Sequence, residues 1–464
     1  MNENKNVKKN RKASLTSDGK IAETVYDKKK QQTQFVIYTN GEINFLDKVK
    51  QGGQEIFPLD AKSDIVSKGI VLLPSEPLEY GTEEELIKEI KTFIHKYLDI
   101  SPMFEQIATY YALFSWVYDR FSEVPYLRAI GDFGSGKSRF LQVIGSICYR
   151  PIFTGGATTT APIFRILDEI RGTLILDEAD LRSSDMTQDI IKILNMGYQK
   201  GGTVLRMQGK ELMEMKAFDV FSPKIIATRE TFSDKALESR FLIEEMGRGK
   251  LREDIPRRLS DEFWEEALEL RNKLLMWRFR NYQKKLIFDE KLIEGVHPRL
   301  HQIIIPLLTI IESKEMKESL REFVQKYNIE LTADRGLSRE SDIILAIFKF
   351  EYETNKKEIT VGEIAEYVNQ DIFDFEEKLT PRKIGWYLRA KMQLKPYKTR
   401  RGFVLEFVRN RERLDFWKER YGITNLDIKG EDVNVANDVN VEKKDDSIMS
   451  DTAQELGFGD KKDF

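Results

Sequence analysis

A single cysteine, Cys148, is all the thiol in this chain. That excludes an internal disulfide and a thiolate metal cluster. Histidine is nearly as scarce, with only His95, His297 and His301. His297 and His301 have the spacing of zinc ligands on a helix, but no Glu follows His297 in the H-E-x-x-H manner and no third ligand stands nearby. Structural histidines are expected. Long apolar runs are missing too: Ile303 to Ile311 is broken by Pro306 and falls far short of the ~20 residues of a membrane span. Met1 to Lys12 is polar and basic with no apolar centre, so it does not read as a secretory signal. A cytoplasmic protein without membrane contact is expected. Charge of one sign is lacking as well. Lys and Arg total 74 against 77 Asp and Glu, a formal charge of −3, so any contact with a polyanion must come from local patches.

What is present is a chain of 464 residues, 41% hydrophobic and 33% charged, long enough for roughly three domains. Residues 1–33 are rich in Lys, Asn and Gln and predict a disordered tail, with Lys8, Lys9, Arg11 and Lys12 as solvated charge or phosphate contacts. From 34 to 80, apolar runs such as Phe35 to Tyr38 and Ile70 to Leu73 alternate with Gly-containing turns, a small β-rich subdomain. Thr82 to Glu85 is a capping box, followed by Leu86, Ile90, Phe93 and Tyr97 at helical spacing. Pro102 opens a second helix. Val124 to Ile130 reads as a buried strand, and strand and helix then alternate to about Glu245, the pattern of a parallel sheet covered on both faces. These parts make a core over 81–250. Amphipathic helices from about Ser260 to Lys284 and from Arg299 to Tyr327 fill 251–335, and three helices plus a hairpin fill 336–410. Residues 411–464 end a helix and continue as a disordered acidic tail with the repeats Asp432 to Val435 and Asp438 to Val441.

Gly131-Asp132-Phe133-Gly134-Ser135-Gly136-Lys137-Ser138 is a full G-x-x-x-x-G-K-S between a strand and a helix. Its glycines let backbone amides curl around phosphate oxygens, and the helix amino terminus adds partial positive charge. Lys137 is expected to reach the β- and γ-phosphates of ATP, and Ser138 to ligate Mg²⁺. Thr173 to Leu176 is a short apolar strand ending in Asp177-Glu178. Asp177 is expected to hold Mg²⁺ through water and Glu178 to polarise the attacking water, where small GTPases use Gln. Asp177 to Asp180 spell the tetrad of DEAD-box helicases, but the second lobe such enzymes require has no counterpart downstream. Another buried strand, Pro223 to Ala227, ends in Thr228, whose hydroxyl is placed to hold the same water. Arg240, at a domain edge before the strand Leu242 to Met246, is a candidate finger for the γ-phosphate of a neighbouring copy, with a surface salt bridge as the alternative.

In this order, phosphate loop, Leu-Asp-Glu strand, sensor strand and Ser239-Arg240-Phe241, the chain resembles the AAA+ ATPases over about Glu105 to Ile310. Within them it looks like MCM-type replicative helicases and the related helicases of phages, plasmids and mobile islands. The resemblance implies an α/β fold, a P-loop parallel-sheet core with helical lid; on either side of it the residues themselves outline a small β-rich N-terminal region and, in three helices followed by a hairpin, a C-terminal winged helix. The resemblance also implies ATP and Mg²⁺ as ligands and a homo-oligomer, a hexameric ring, completed by Arg240 from the adjacent copy. Gly201 to Phe221 match the pre-sensor hairpin that touches DNA in that clade, with Arg206 and Lys210 as the contacts; an ordinary surface hairpin is the alternative. Arg299, in His297-Pro-Arg299-Leu, matches a second sensor in the lid. The zinc-binding amino-terminal domain of MCM proteins has no counterpart here.

Thr360 to Glu363 and Thr380-Pro381 open the second and third helices of the carboxy-terminal group. On the third, Ile384 and Leu388 face inward, while Arg382, Trp386 and Arg389 share the opposite stripe beside Lys383. The hairpin Tyr397 to Gly402 carries Lys398, Arg400 and Arg401. These cations suit phosphate or groove contacts with DNA; a protein-binding module with a charged wing is the alternative. Gln454 to Phe458 and Asp463-Phe464 faintly resemble tips that dock replication partners, against a plain solubilising tail. The expectation is an ATP-dependent DNA motor acting on single-stranded or forked DNA. The alternative is a non-translocating AAA+ switch, such as a replication initiator, helicase loader or defence ATPase. A regulator with a dead nucleotide site is disfavoured because Lys137 and Glu178 are both in place.

Overall fold

A computed structural model of the chain describes residues 10–17, 20–155, 160–177, 185–208, 214–229, 232, 235–247, 251–288, 293, 296, 298–336, 339–371 and 378–429. The chain divides into two compact units, residues 1–329 and 330–464. Among the described residues no helix is long and apolar enough to cross a membrane.

The first unit contains near its start an antiparallel meander, β1 (Ser14–Ser17), β2 (Lys20–Asp27), β3 (Gln32–Thr39) and β4 (Glu42–Leu46), paired in chain order. This corrects the expectation of a disordered tail over 1–33, of which residues 1–9, 18 and 19 lie outside the described set. β2 is buried on both faces from Ile21 to Val25. Its Lys-Ile-Ala-Glu-Thr-Val sequence hides this because Glu23 sits mid-strand. The structure neutralises that carboxylate with Arg150 and with Arg278 Nε at 2.8 Å, and Tyr149 Oη donates to it at 2.9 Å. A buried carboxylate is tolerable only when so paired.

Helix α1 (Glu83–Tyr97) begins at the capping box, with Glu85 N donating to Thr82 Oγ1 at 3.2 Å and Thr82 N to Glu85 Oε2 at 2.8 Å. Helix α2 (Pro102–Ser115) follows its cap Ser101. The core is then β5 (Tyr126–Ile130), α3 (Lys137–Ile147), β6 (Ile152–Thr154), α4 (Thr160–Ile170), β7 (Leu174–Leu176) and α5 (Asp185–Met196). A hairpin of β8 (Thr203–Gln208) and β9 (Glu214–Asp219) precedes β10 (Lys224–Thr228) and β11 (Phe241–Glu245). Five strands form one parallel sheet in the order β11-β5-β10-β7-β6. Its strands are nearly continuous apolar runs because helices cover both faces. The chain is thus a mixed α/β protein built on a five-stranded parallel sheet.

Helices α6 (Asp261–Asn281), α7 (Pro298–Ile310) and α8 (Lys314–Gly336) follow. The expected single helix from Arg299 to Tyr327 is two. Ser313 starts a new one, accepting from Met316 N at 3.2 Å through its hydroxyl and from Lys317 N at 3.0 Å through its carbonyl. Cys148 is buried, which pushes its thiol up to about 12 and leaves it unreactive.

In the second unit, α9 (Arg339–Thr354), β12 (Glu358–Thr360), α10 (Val361–Asp371) and α11 (Pro381–Trp386) lead into β13 (Tyr397–Thr399), β14 (Gly402–Glu406) and α12 (Phe407–Arg420). The three strands form an antiparallel sheet in the order β12-β14-β13. Ile343, Ile347, Ile364, Ile384, Leu388, Leu405 and Leu414 form its core, so the inward stripe of the third helix lies where its spacing put it. The acidic tail from 430 onward lies outside the described residues.

Candidate functional site

The loop between β5 and α3 is shaped by three glycines. A Cβ on Gly131 would come within 2.7 Å of the Met246 carbonyl oxygen. Gly134 and Gly136 take φ values of +78° and +95°, which side-chain-bearing residues rarely adopt. The loop thereby closes on Lys137, whose Nζ donates to the carbonyls of Gly131 and Asp132, both at 2.7 Å. Lys137 is the first residue of α3, so an ammonium and a helix amino terminus converge at one point, the arrangement that favours bound phosphate. Asp132, Phe133 and Ser138 are exposed on the rim, Phe133 at 89%.

Sheet order supplies the opposite wall. β10 lies between β5 and β7, with Thr228 level with Ile130 and Leu176 level with Ile226. Asp177, which follows Leu176, therefore ends its strand one neighbour away from the loop. Lys137, Ser138, Asp177, Thr228 and Arg229 line a single cleft of about 280 Å³. Thr228 is 2% exposed, and among the described residues its Oγ1 has no hydrogen-bond partner. Buried hydroxyls are normally paired, so an orphaned one beside a phosphate-shaped loop fits a ligand or water held there. The Ser138 hydroxyl and the Asp177 carboxylate on this cleft are also oxygen donors of the kind Mg²⁺ takes. Glu178, the residue after Asp177, lies outside the described residues, as do Lys210 and His297.

Three expected site residues sit elsewhere. Arg240 is only 7% exposed, with its guanidinium 4.3 Å from the Tyr198 ring centroid and donating to Asn195 Oδ1. In the single chain this side chain therefore packs inward and does not project from the surface. Arg206 pairs with Asp189 at 2.7 Å and lies over the Phe164 ring. Its strand alternation puts it on the more covered face of the hairpin with Val204, while Leu205 and Met207 take the exposed face. Arg299 donates to Ser239 Oγ at 3.3 Å and does not line the cleft.

A residue that the motif reading passed over ties these parts together. Arg128, fully buried on β5, donates to both carboxylate oxygens of Glu238, at 2.9 and 2.6 Å. Glu238 belongs to the segment just before Ser239-Arg240, so the strand that carries the phosphate loop grips that segment directly. The signal was legible: an arginine in an otherwise apolar strand requires a buried acid.

In the second unit, Arg382, Arg389, Lys398 and Arg400 are exposed, and Lys383 is half-buried. Arg401 is held by Glu358. His95, in the first unit, meets Glu105 at 2.7 Å.

No protein-family model matches the chain, and no curated protein matches it. Among solved structures it is similar to the apo A form of the NrS-1 C-terminal region, at 12% identity over 83% of this chain and 96% of that one, with a TM-score of 0.35. It is similar to JCV helicase at 12% identity over 53% and 66%, with a TM-score of 0.25. A third likeness, to Drosophila ORC bound to DNA, has 13% identity over 74% and 96% and a TM-score of 0.17.

Proposed function

We propose that this chain is an ATP-hydrolysing DNA motor of the AAA+ class, working as a ring of copies, six by the MCM resemblance, in replication of a phage, plasmid or mobile element. The observation that carries the reading is the convergence on one cleft of the Gly131–Ser138 loop, Asp177 and the Thr228 hydroxyl, which has no partner among the described residues. Lys137 meets the β- and γ-phosphates of ATP, Ser138 and Asp177 hold Mg²⁺, and Glu178 with Thr228 holds the attacking water. Bound Mg²⁺ would neutralise charge on the phosphates. The helices over 251–335 act as the lid. The second unit is a winged helix that contacts DNA phosphates through Arg382, Lys383, Arg389, Lys398 and Arg400, and Lys210 serves as the hairpin contact. The carboxy-terminal tail docks a replication partner.

A second reading, an AAA+ switch that remodels a partner without translocating, draws on the pairing of Arg206 with Asp189 and the buried position of Arg240. Strand displacement separates them. The motor opens a tailed duplex with ATP and loses this in Lys137→Ala and Lys210→Ala. A switch hydrolyses ATP yet displaces no strand from either tail polarity.

A further inference from the structure

Residues 381–402 contain eight Lys and Arg and no Asp or Glu, in a chain whose formal charge is −3. Three aromatic side chains stand in solvent in or beside this basic stretch: Trp386 at 50% and Tyr397 at 36% within it, and Phe403, just beyond it on β14, at 44%. Single exposed apolar residues need no explanation. Here Trp386 and Phe403 each have a cation beside the ring. The guanidinium of Arg389 lies 5.2 Å from the Phe403 ring centroid and against Gly385, where a Cβ would be 3.4 Å from its Nη2. Gly385 directly precedes Trp386, whose ring centroid lies 5.8 Å from Lys391 Nζ, and both Trp386 and Arg389 are exposed. Lys398 pairs with Phe403 across the hairpin. The helix itself changes here, from α at Pro381–Trp386 to a π turn at Tyr387–Lys391, closed by Met392 N donating to the Tyr387 carbonyl at 3.0 Å. Such π turns recur at functional sites.

We propose that Trp386, Arg389 and Phe403 form a platform on which unpaired bases of single-stranded nucleic acid stack, with the flanking cations holding its phosphates. The proposal rests on the DNA-binding reading of the second unit and narrows it. A duplex hides its base faces in its own stack and presents edges and phosphates. Flat aromatic and guanidinium surfaces beside a polyanion-binding row therefore match unpaired bases.

The test uses the full chain without nucleotide and measures anisotropy of labelled oligo-thymidylate and of a blunt duplex of the same length. Trp386→Ala and Phe403→Ala are each expected to weaken single-strand binding about tenfold, with duplex binding unchanged and Trp386→Phe close to wild type. The unfolding temperature should fall by only a few degrees, because both rings are already half in solvent. If both alanine variants bind the single strand normally while Arg400→Ala weakens it, the platform is wrong and the DNA reading survives. Equal losses on duplex and single strand also overturn it, in favour of groove contacts. If the wild-type chain binds neither oligonucleotide, the DNA reading itself fails, and the surface belongs to a protein partner.

Discussion

Thr228→Val is expected to make this protein more stable and less active at once. Thr228 is 2% exposed at the end of a core strand, and its hydroxyl lacks a partner among the described residues. Leaving such a group buried and unpaired costs about 1–3 kcal/mol. Valine keeps the branched shape that strands accommodate and removes the polar atom. Taking the low end, the variant gains about 1 kcal/mol, or about 2 °C in the unfolding temperature of a unit this large. Hydrolysis moves the other way. If the hydroxyl holds the attacking water, its loss removes one preorganised contact, worth about 100-fold in turnover at comparable sites. Calorimetry and phosphate release on the same preparation read both. A variant that is less stable with ordinary turnover would refute the reasoning, since it would mean that the hydroxyl has a structural partner and no part in hydrolysis.

The remaining predictions concern the loop and the buried charges. Gly136→Ala forces alanine to a φ of +95°, costs about 1–3 kcal/mol of strain and displaces Lys137, so the KM for ATP should rise with little loss of fold. Arg278→Met leaves Glu23 and Asp119 short of a cation, with an expected loss of about 3–5 kcal/mol in urea unfolding; Glu23→Gln added to it should recover part. Arg128→Met strands Glu238 and should cost a similar amount, again about 3–5 kcal/mol. Acid stability should depend on Asp119. Burial alone would raise its pKa, but the Arg278 guanidinium and its hydrogen bonds outweigh this and hold it below the ordinary aspartate value. A carboxylate with a depressed folded pKa contributes stability above its unfolded value, near pH 4. That contribution fades as the pH falls through the folded pKa, and Asp119→Asn should flatten this limb of the unfolding profile.

The elements that were legible in the sequence are those whose signals are local. The capping boxes at Thr82 and Thr360, the prolines opening α2 and α11, and the glycine pattern of the loop all depend on residues within a few positions of one another. Thr228 and Asp177 could be placed because each ends a short apolar strand. The failures share a different cause. β2 hides because Glu23 is neutralised by Arg150 and Arg278, far away in the chain. Arg206 and Arg240 are cations whose partners, Asp189 and Asn195, no spacing rule connects to them. Which face of a strand a cation takes, and whether a buried acid awaits it, are decided by tertiary packing.

Phosphate release from ATP, with and without Mg²⁺, for wild type beside Lys137→Ala tests the central claim most directly. The account predicts Mg²⁺-dependent hydrolysis by the wild-type chain and none above background in the variant, whose unfolding temperature stays close to normal. Equal phosphate release by the two proteins, or none by either, would contradict it.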